Sequence, residues 1–196
     1  MARLVLGVRL PDPVGGHPAL DFCNTRGAWG EPEPIEYLTG PRAVAAWAHA
    51  TGLIPADGVA DLPAAPVPRH AHALRTAVRD CLLGTAGDAG WDLVGTTAAA
   101  SRAASRLRPG PPGGAARWVA GPGRDPVRAS LLAVAAAAED LLRSPLAASV
   151  AMCHGRGCGF LFADPRGRRR WCTMAVCGNR AKSYTHWRRQ KVTQGG

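Results

Sequence analysis

Four cysteines, Cys153, Cys158, Cys172 and Cys177, constrain this chain more than any other feature. They form two pairs of the same x4 spacing, separated by thirteen residues, in a stretch dense with arginine. Four thiolates brought together need a cation to neutralise them. Zn²⁺ accepts four sulfurs tetrahedrally and has no redox chemistry, so one structural zinc ion is the expected occupant. The alternatives are two disulfides or a group of buried, unliganded thiols. His154 is a further candidate ligand, but four cysteines already close the shell. A catalytic zinc keeps one position open for water. No open position is evident here, and the chain is expected not to be an enzyme.

The compartment bears on the choice between metal and disulfide. The opening MARLVLGVRLPDPVGG is interrupted too soon by Arg9, Asp12 and two prolines to act as an export signal, and no apolar run is long enough to span a membrane. The expected location is the cytoplasm, with no membrane partner. Thiols stay reduced there, which favours metal. Cys23 and Cys81 lie far from the four and read as small buried apolar residues.

The formal net charge of +10 is unevenly distributed. From Cys153 to Gly196 there are ten Lys/Arg against one acid, Asp164; the preceding residues carry fourteen against thirteen. The basic excess therefore belongs to the cysteine-bearing tail, which points to a polyanionic partner for that part alone. Arg168, Arg169 and Arg170 follow a turn at Asp164-Pro165-Arg166-Gly167, while Arg180, Lys182, Arg188 and Lys191 fall on a segment without helix breakers, Asn179 to Lys191. At 100° per residue Arg180, Tyr184, Trp187 and Lys191 share one helical face. Asn179 and Arg180 follow the last cysteine pair and could instead donate to its sulfurs.

Along the chain, Leu4–Leu10 reads as a strand and His17–Thr25 as a segment whose Asp21, Asn24 and Thr25 can cap or bind. Residues 27–34 and 54–68 read as loops. Helices are predicted over Thr39–Gly52, with Val44, Trp47 and Ala48 inward, over Arg69–Leu83, and over Trp91–Leu107. After a break at Pro109–Gly114, Ala116–Ala120 reads as a strand turned by Gly121–Gly123. Asp125-Pro126 starts the strongest amphipathic helix, which Ser144-Pro145 ends. Residues 1–145 are therefore expected to form a mainly helical α+β domain and residues 146–196 a small treble-clef-like or ribbon-like zinc finger. Its order would be knuckle, hairpin, knuckle, helix, with Ser149–Met152 leading in and Gly159–Phe162 paired to Arg169–Cys172. Metal would supply what so small a core lacks.

The residues Arg169-Arg170-Trp171-Cys172, Met174, Cys177-Gly178-Asn179-Arg180 and Lys182 resemble the CGNR zinc-finger family, as does Cys158-Gly159-Phe160-Leu161-Phe162-Ala163-Asp164. Leu20-Asp21-Phe22-Cys23-Asn24-Thr25, Leu38, Trp47 and Gly52-Leu53 resemble the ABATE domain that accompanies this finger in bacteria. One departure is the stretch Val150-Ala151-Met152, which lacks the basic residues expected before the first cysteine. The resemblance implies a stress-induced transcription regulator whose finger contacts DNA. Arg168, Arg169, Arg170, Asn179, Arg180, Lys182, Arg188 and Lys191 are the expected nucleic-acid contacts. The N-terminal domain would sense a small-molecule effector or mediate assembly, a homodimer included. Asp21, Asn24, Thr25 and Trp47 are its candidate pocket, against the alternative that they cap and pack. RNA binding through the same face, with Tyr184 or Trp187 stacking on unpaired bases, is the competing function.

Overall fold

The computed structural model describes residues 2–120, 125–184 and 187. The segment expected to be one strand is a hairpin: β1 (Ala2–Val5) pairs antiparallel with β2 (Val8–Pro11), Val5 opposite Val8. Leu6 and Gly7 form the two-residue turn with φ of 48° and 76°. Both angles are positive, the turn geometry that matches strand twist and that Gly7 allows without strain. The next apolar segment folds into a short helix, α1 (Pro18–Cys23), started by Pro18 and capped by His17, whose Nδ1 accepts from the Ala19 N–H at 3.2 Å. Two-residue strands β3 (Arg26–Gly27) and β4 (Ile35–Glu36) then pair across the expected loop.

Helix α2 (Pro41–Ala50) buries Val44, Trp47 and Ala48, and α3 (Arg69–Leu83) has the expected bounds, closing on Gly84 at φ 71°. Helix α4 (Asp88–Ala103) starts earlier and stops sooner than its periodicity suggests. Asp88 favours the early start through the helix dipole. The end is set by pairing: β5 (Ser105–Arg108) takes residues expected to be helical and bonds to β6 (Arg117–Ala120) across the proline-glycine break. The turn expected at Gly121–Gly123 lies outside the described residues. Helix α5 (Pro126–Leu142) begins where Asp125 accepts the Val127 N–H at 2.9 Å. Its apolar side, Leu131, Val134, Ala138 and Leu141, is the centre of the core, touched by α1, α2, α3 and α4.

A 3₁₀ turn at Pro145–Ser149 leads to β7 (Val150–Met152), which pairs with β8 (Leu161–Ala163). This corrects the expected hairpin, in which the second of these strands paired with Arg169–Cys172. The other edge of β8 is already taken: the Leu161 N–H donates to Asn24 Oδ1 at 2.7 Å and the Ala163 N–H to the Gly15 carbonyl at 2.8 Å. Neither edge of β8 is left for a third strand. Residues 169–172 run irregularly instead, and the loop between the paired strands is itself the first knuckle. Side chains alternate along β8, so Leu161 enters the helical core and Phe162 enters a second core with Cys153, Cys172 and Cys177. One three-residue strand thus carries both cores. A π-helical turn, Met174–Gly178, continues as helix through residues 179–184. The architecture is α+β, mainly helical, ending in a small cysteine-bearing ribbon. Among the described residues no helix is long and apolar enough to cross a membrane.

Candidate metal centre

The knuckle between β7 and β8 presents Cys153 and Cys158; the irregular segment and the π-helical turn present Cys172 and Cys177. All four Sγ atoms lie within 4.8 Å of one another. Cys158 and Cys172 are 3.8 Å apart, Cys172 and Cys177 3.5 Å. A tetrahedron with Zn–S bonds of about 2.3 Å has edges of about 3.8 Å, so the set fits one structural zinc ion. The Gly155 and Cys172 N–H groups donate to Cys153 Sγ at 3.3 and 3.2 Å, the kind of outer contact that steadies a thiolate. Hydrogen bonds from the Cys158 and Cys172 thiols and from these N–H groups hold Cys153 well below the usual thiol range. Cys158 is held up by its thiol neighbours and by burial. Cys172 is pushed up to about 12, first by sharing with Cys153. Binding of the metal displaces the protons of its thiol ligands.

Two glycines explain why the chain packs so closely here. Gly159 has φ +68° and a Cβ there would sit 2.6 Å from Trp29 Cβ. At Gly178, in the Cys-Gly-Asn-Arg run, a Cβ would meet Met174 Sδ at 2.6 Å.

The expected nucleic-acid residues divide. Arg168, Arg170, Asn179, Arg180 and Lys182 are exposed. Arg170 lies 5.6 Å from the centroid of Trp171, and Asn179 Nδ2 donates to the Ala175 carbonyl at 3.3 Å rather than to sulfur. Arg169 is also exposed, yet its guanidinium donates to the carbonyls of Cys172 (2.7 Å), Val14 (3.1 Å) and Ala163 (3.3 Å) and covers Phe162 at 4.2 Å. It ties a metal ligand to the N-terminal part. Tyr184 and Trp187 stack with centroids 6.0 Å apart, 46% and 49% exposed, and Arg156 lies 5.9 Å from the Tyr184 centroid. Arg188 and Lys191 lie outside the described residues.

The four residues expected to line an effector pocket are buried and occupied. Asp21 accepts the Val14 and Gly15 N–H groups at 2.9 and 2.8 Å, while burial pushes its pKa up. Asn24 bonds Leu161 in both directions, receiving its N–H and donating to its carbonyl at 2.8 Å. Thr25 Oγ1 donates to the Phe22 carbonyl and accepts from Arg75. Trp47 packs on Phe22, centroids 5.0 Å apart. A cavity of about 150 Å³ lies elsewhere, at the seam, where Ile35, Tyr37 and Phe160 face Cys158, Cys177 and Arg180. Cys23 and Cys81 are buried as expected, and burial raises the Cys23 thiol to about 12.

Sequence reasoning missed the arginines of α3. Arg75 is 1% exposed and forks onto Glu36 at 2.6 and 2.5 Å. Positions 75 and 79 flank Leu74 and Val78 on the inward face, a signal that these two arginines are buried. Burial opposes ionisation of Glu36, but the Arg75 fork outweighs it and lowers the Glu36 pKa below its ordinary value of 4.5. A depressed carboxylate stabilises the fold above its unfolded pKa and loses that contribution as pH falls through its folded one. In urea unfolding, Glu36→Gln is expected to be least stable relative to the native chain near neutral pH, with the difference shrinking below about pH 4.5. A pH-independent difference would contradict this account.

Compared with family models, residues 16–145 match ABATE, described as a "putative stress-induced transcription regulator", and residues 150–190 match the CGNR zinc finger. Neither description is that of an enzyme. No curated protein matches the chain. The first model alone covers more than half of the residues, and the second spans the four-cysteine set and the Cys177-Gly178-Asn179-Arg180 run: the chain belongs to the ABATE family and carries a CGNR zinc finger in its C-terminal part.

Proposed function

We propose that this regulator grips DNA through the exposed cations of its finger, with residues 146–196 as the reading part and residues 1–145 as the part that senses an effector or mediates assembly. The observation that carries the reading is a set of exposed cations without carboxylate partners. Arg168, Arg170, Arg180 and Lys182 are exposed, and among the described residues no carboxylate pairs with any of them. The finger's one acid, Asp164, is engaged by the Arg169 N–H at 2.7 Å. Phosphate oxygens suit free guanidinium groups, and a bidentate arginine can also read guanine.

Binding to duplex DNA should then fall steeply with salt, by about 0.9 in log–log slope per phosphate neutralised. In an anisotropy titration, Arg170→Ala and Arg180→Ala should each weaken binding and reduce the slope by about 1, with zinc content unchanged. Arg169→Ala should disturb the metal loop instead, since its guanidinium is committed to three carbonyls. Salt-independent binding, or none to any duplex, would sink the proposal. The exposed Tyr184–Trp187 stack favours a second reading, unpaired RNA bases stacking on these rings. Competition between single-stranded RNA and duplex DNA separates the two.

A further inference from the structure

Helix α3 drives a charged side chain into the seam between the helical core and the finger. Arg79 is 5% exposed. Its guanidinium donates to the Gly159 carbonyl at 2.8 Å and to Met152 Sδ at 3.3 Å, and lies 4.3 Å from the centroid of Trp29. Arg26 lies over the same indole at 4.8 Å. Every one of these partners is neutral or positive. Among the described residues no carboxylate is within ion-pair distance of Arg79, although Arg75, one turn earlier on the same helix, has Glu36. A buried cation with no ion-paired carboxylate is costly: burial works against its charge first, and Asp80, beyond ion-pair distance, offsets that only in part.

The missing anion is next to the backbone that Arg79 grips. Gly159 directly follows the ligand Cys158, and Met152 directly precedes the ligand Cys153. Zn²⁺ held by four thiolates is a centre of net double negative charge. Arg180 is exposed, where water and salt screen it, and Arg169, though bonded to the Cys172 carbonyl, is exposed as a residue; Arg79 is the cation held out of water. We propose that Arg79 is the counter-charge of the zinc–thiolate centre, and that through it zinc occupancy controls the docking of the finger on helix α3. This rests on the four-cysteine zinc centre and is independent of which nucleic acid the finger binds.

Coupling of this kind is reciprocal: the metal strengthens docking, and docking strengthens retention of the metal. With zinc in place, α3, the Trp29 loop and the knuckle form one charge-balanced seam. Without it, like charges on Arg79 and Arg26 remain in the seam and the knuckle loses its tether. The regulator's helical part thereby feels the state of its finger.

The test uses the full chain and its Arg79→Lys, Arg79→Gln and Arg79→Met variants, loaded with one equivalent of zinc. Transfer of zinc to a chromophoric chelator at neutral pH reads retention, and Co²⁺ substitution reads whether the four-thiolate geometry persists. Loss of the charge should weaken retention about 10- to 100-fold in the Gln and Met variants, the usual effect of removing an outer-shell partner, while Lys stays within a few fold of the native chain. If Arg79→Gln retains zinc as the native chain does, Arg79 acts as a hydrogen-bond donor only and the proposal is overturned. A second measurement needs no variant: trypsin cleavage after Arg26 should accelerate at least about tenfold when zinc is stripped from the native chain. Unchanged cleavage also overturns the coupling. A native chain that takes up no zinc would overturn the metal centre itself, which the metal content reports separately.

Discussion

Replacing Cys177 with serine will release the zinc and melt the C-terminal ribbon while most of the helical signal survives. Cys177 is buried, with its Sγ 3.5 Å from that of Cys172. A serine hydroxyl keeps its proton at neutral pH and is a hard donor, so a three-sulfur site remains. Metal binding contributes about 10–16 kcal/mol to modules of this kind, far more than the few side chains of the second core can replace. The melt should not stop at the finger. Leu161 is fully buried in the helical core, so the α1–α5 bundle should also unfold at a lower temperature. Metal analysis, protease resistance of residues 150–184 and circular dichroism check each part. A serine variant that keeps its zinc and its resistance to proteolysis would show that Cys177 is not a ligand.

Asn24→Ala should be strongly destabilising although it lies outside the metal centre. The asparagine side chain stands in for a neighbouring strand. It receives the Leu161 N–H at 2.7 Å and donates to the Leu161 carbonyl at 2.8 Å, in a site from which water is excluded. Alanine leaves both backbone groups unpaired, each costing about 1–3 kcal/mol, for a total of about 2–6 kcal/mol in denaturant unfolding. Asn24→Asp should also be poor, because a carboxylate cannot donate to the Leu161 carbonyl and would be buried without a counter-ion. A loss under about 0.5 kcal/mol for alanine would mean that β8 does not depend on this pairing. Zinc retention should drop in parallel, since β8 begins three residues after Cys158 and holds the knuckle in register.

These two expectations separate what each level of description carries. The metal set was legible because ligand chemistry acts on residue type and spacing: four thiols in paired spacing leave few occupants, and the geometry agrees. Helices α2, α3 and α5 were legible for a similar local reason. Apolar residues recur at the helical period, and Pro41, Gly84, Asp125 and Pro126 mark their ends. The β pairings were not. A strand of three residues has no period strong enough to name its partner, so the partner of β8 was misassigned. Helix α4 ran on too far because its helical pattern competes with a hairpin that forms only when Arg117–Ala120 folds back. For Asp21, Asn24 and Thr25 the sequence offers capping and packing beside a pocket, but the partners they meet, such as Leu161 for Asn24, are set by the tertiary fold.

Arg79 stands at the boundary between the two levels. Its place on the inward face of α3 follows from helical periodicity. The acceptor it meets, the Gly159 carbonyl eighty residues later, follows from the tertiary fold alone. The sequence by itself determined the metal, the main helices and the basic character of the tail, because those depend on composition and on spacing along the chain. Only the tertiary structure decided that the finger is built into the helical core through Asn24, Arg79 and Arg169. Hydrogen bonds and buried charges are matched in space, between groups that have no relation in sequence.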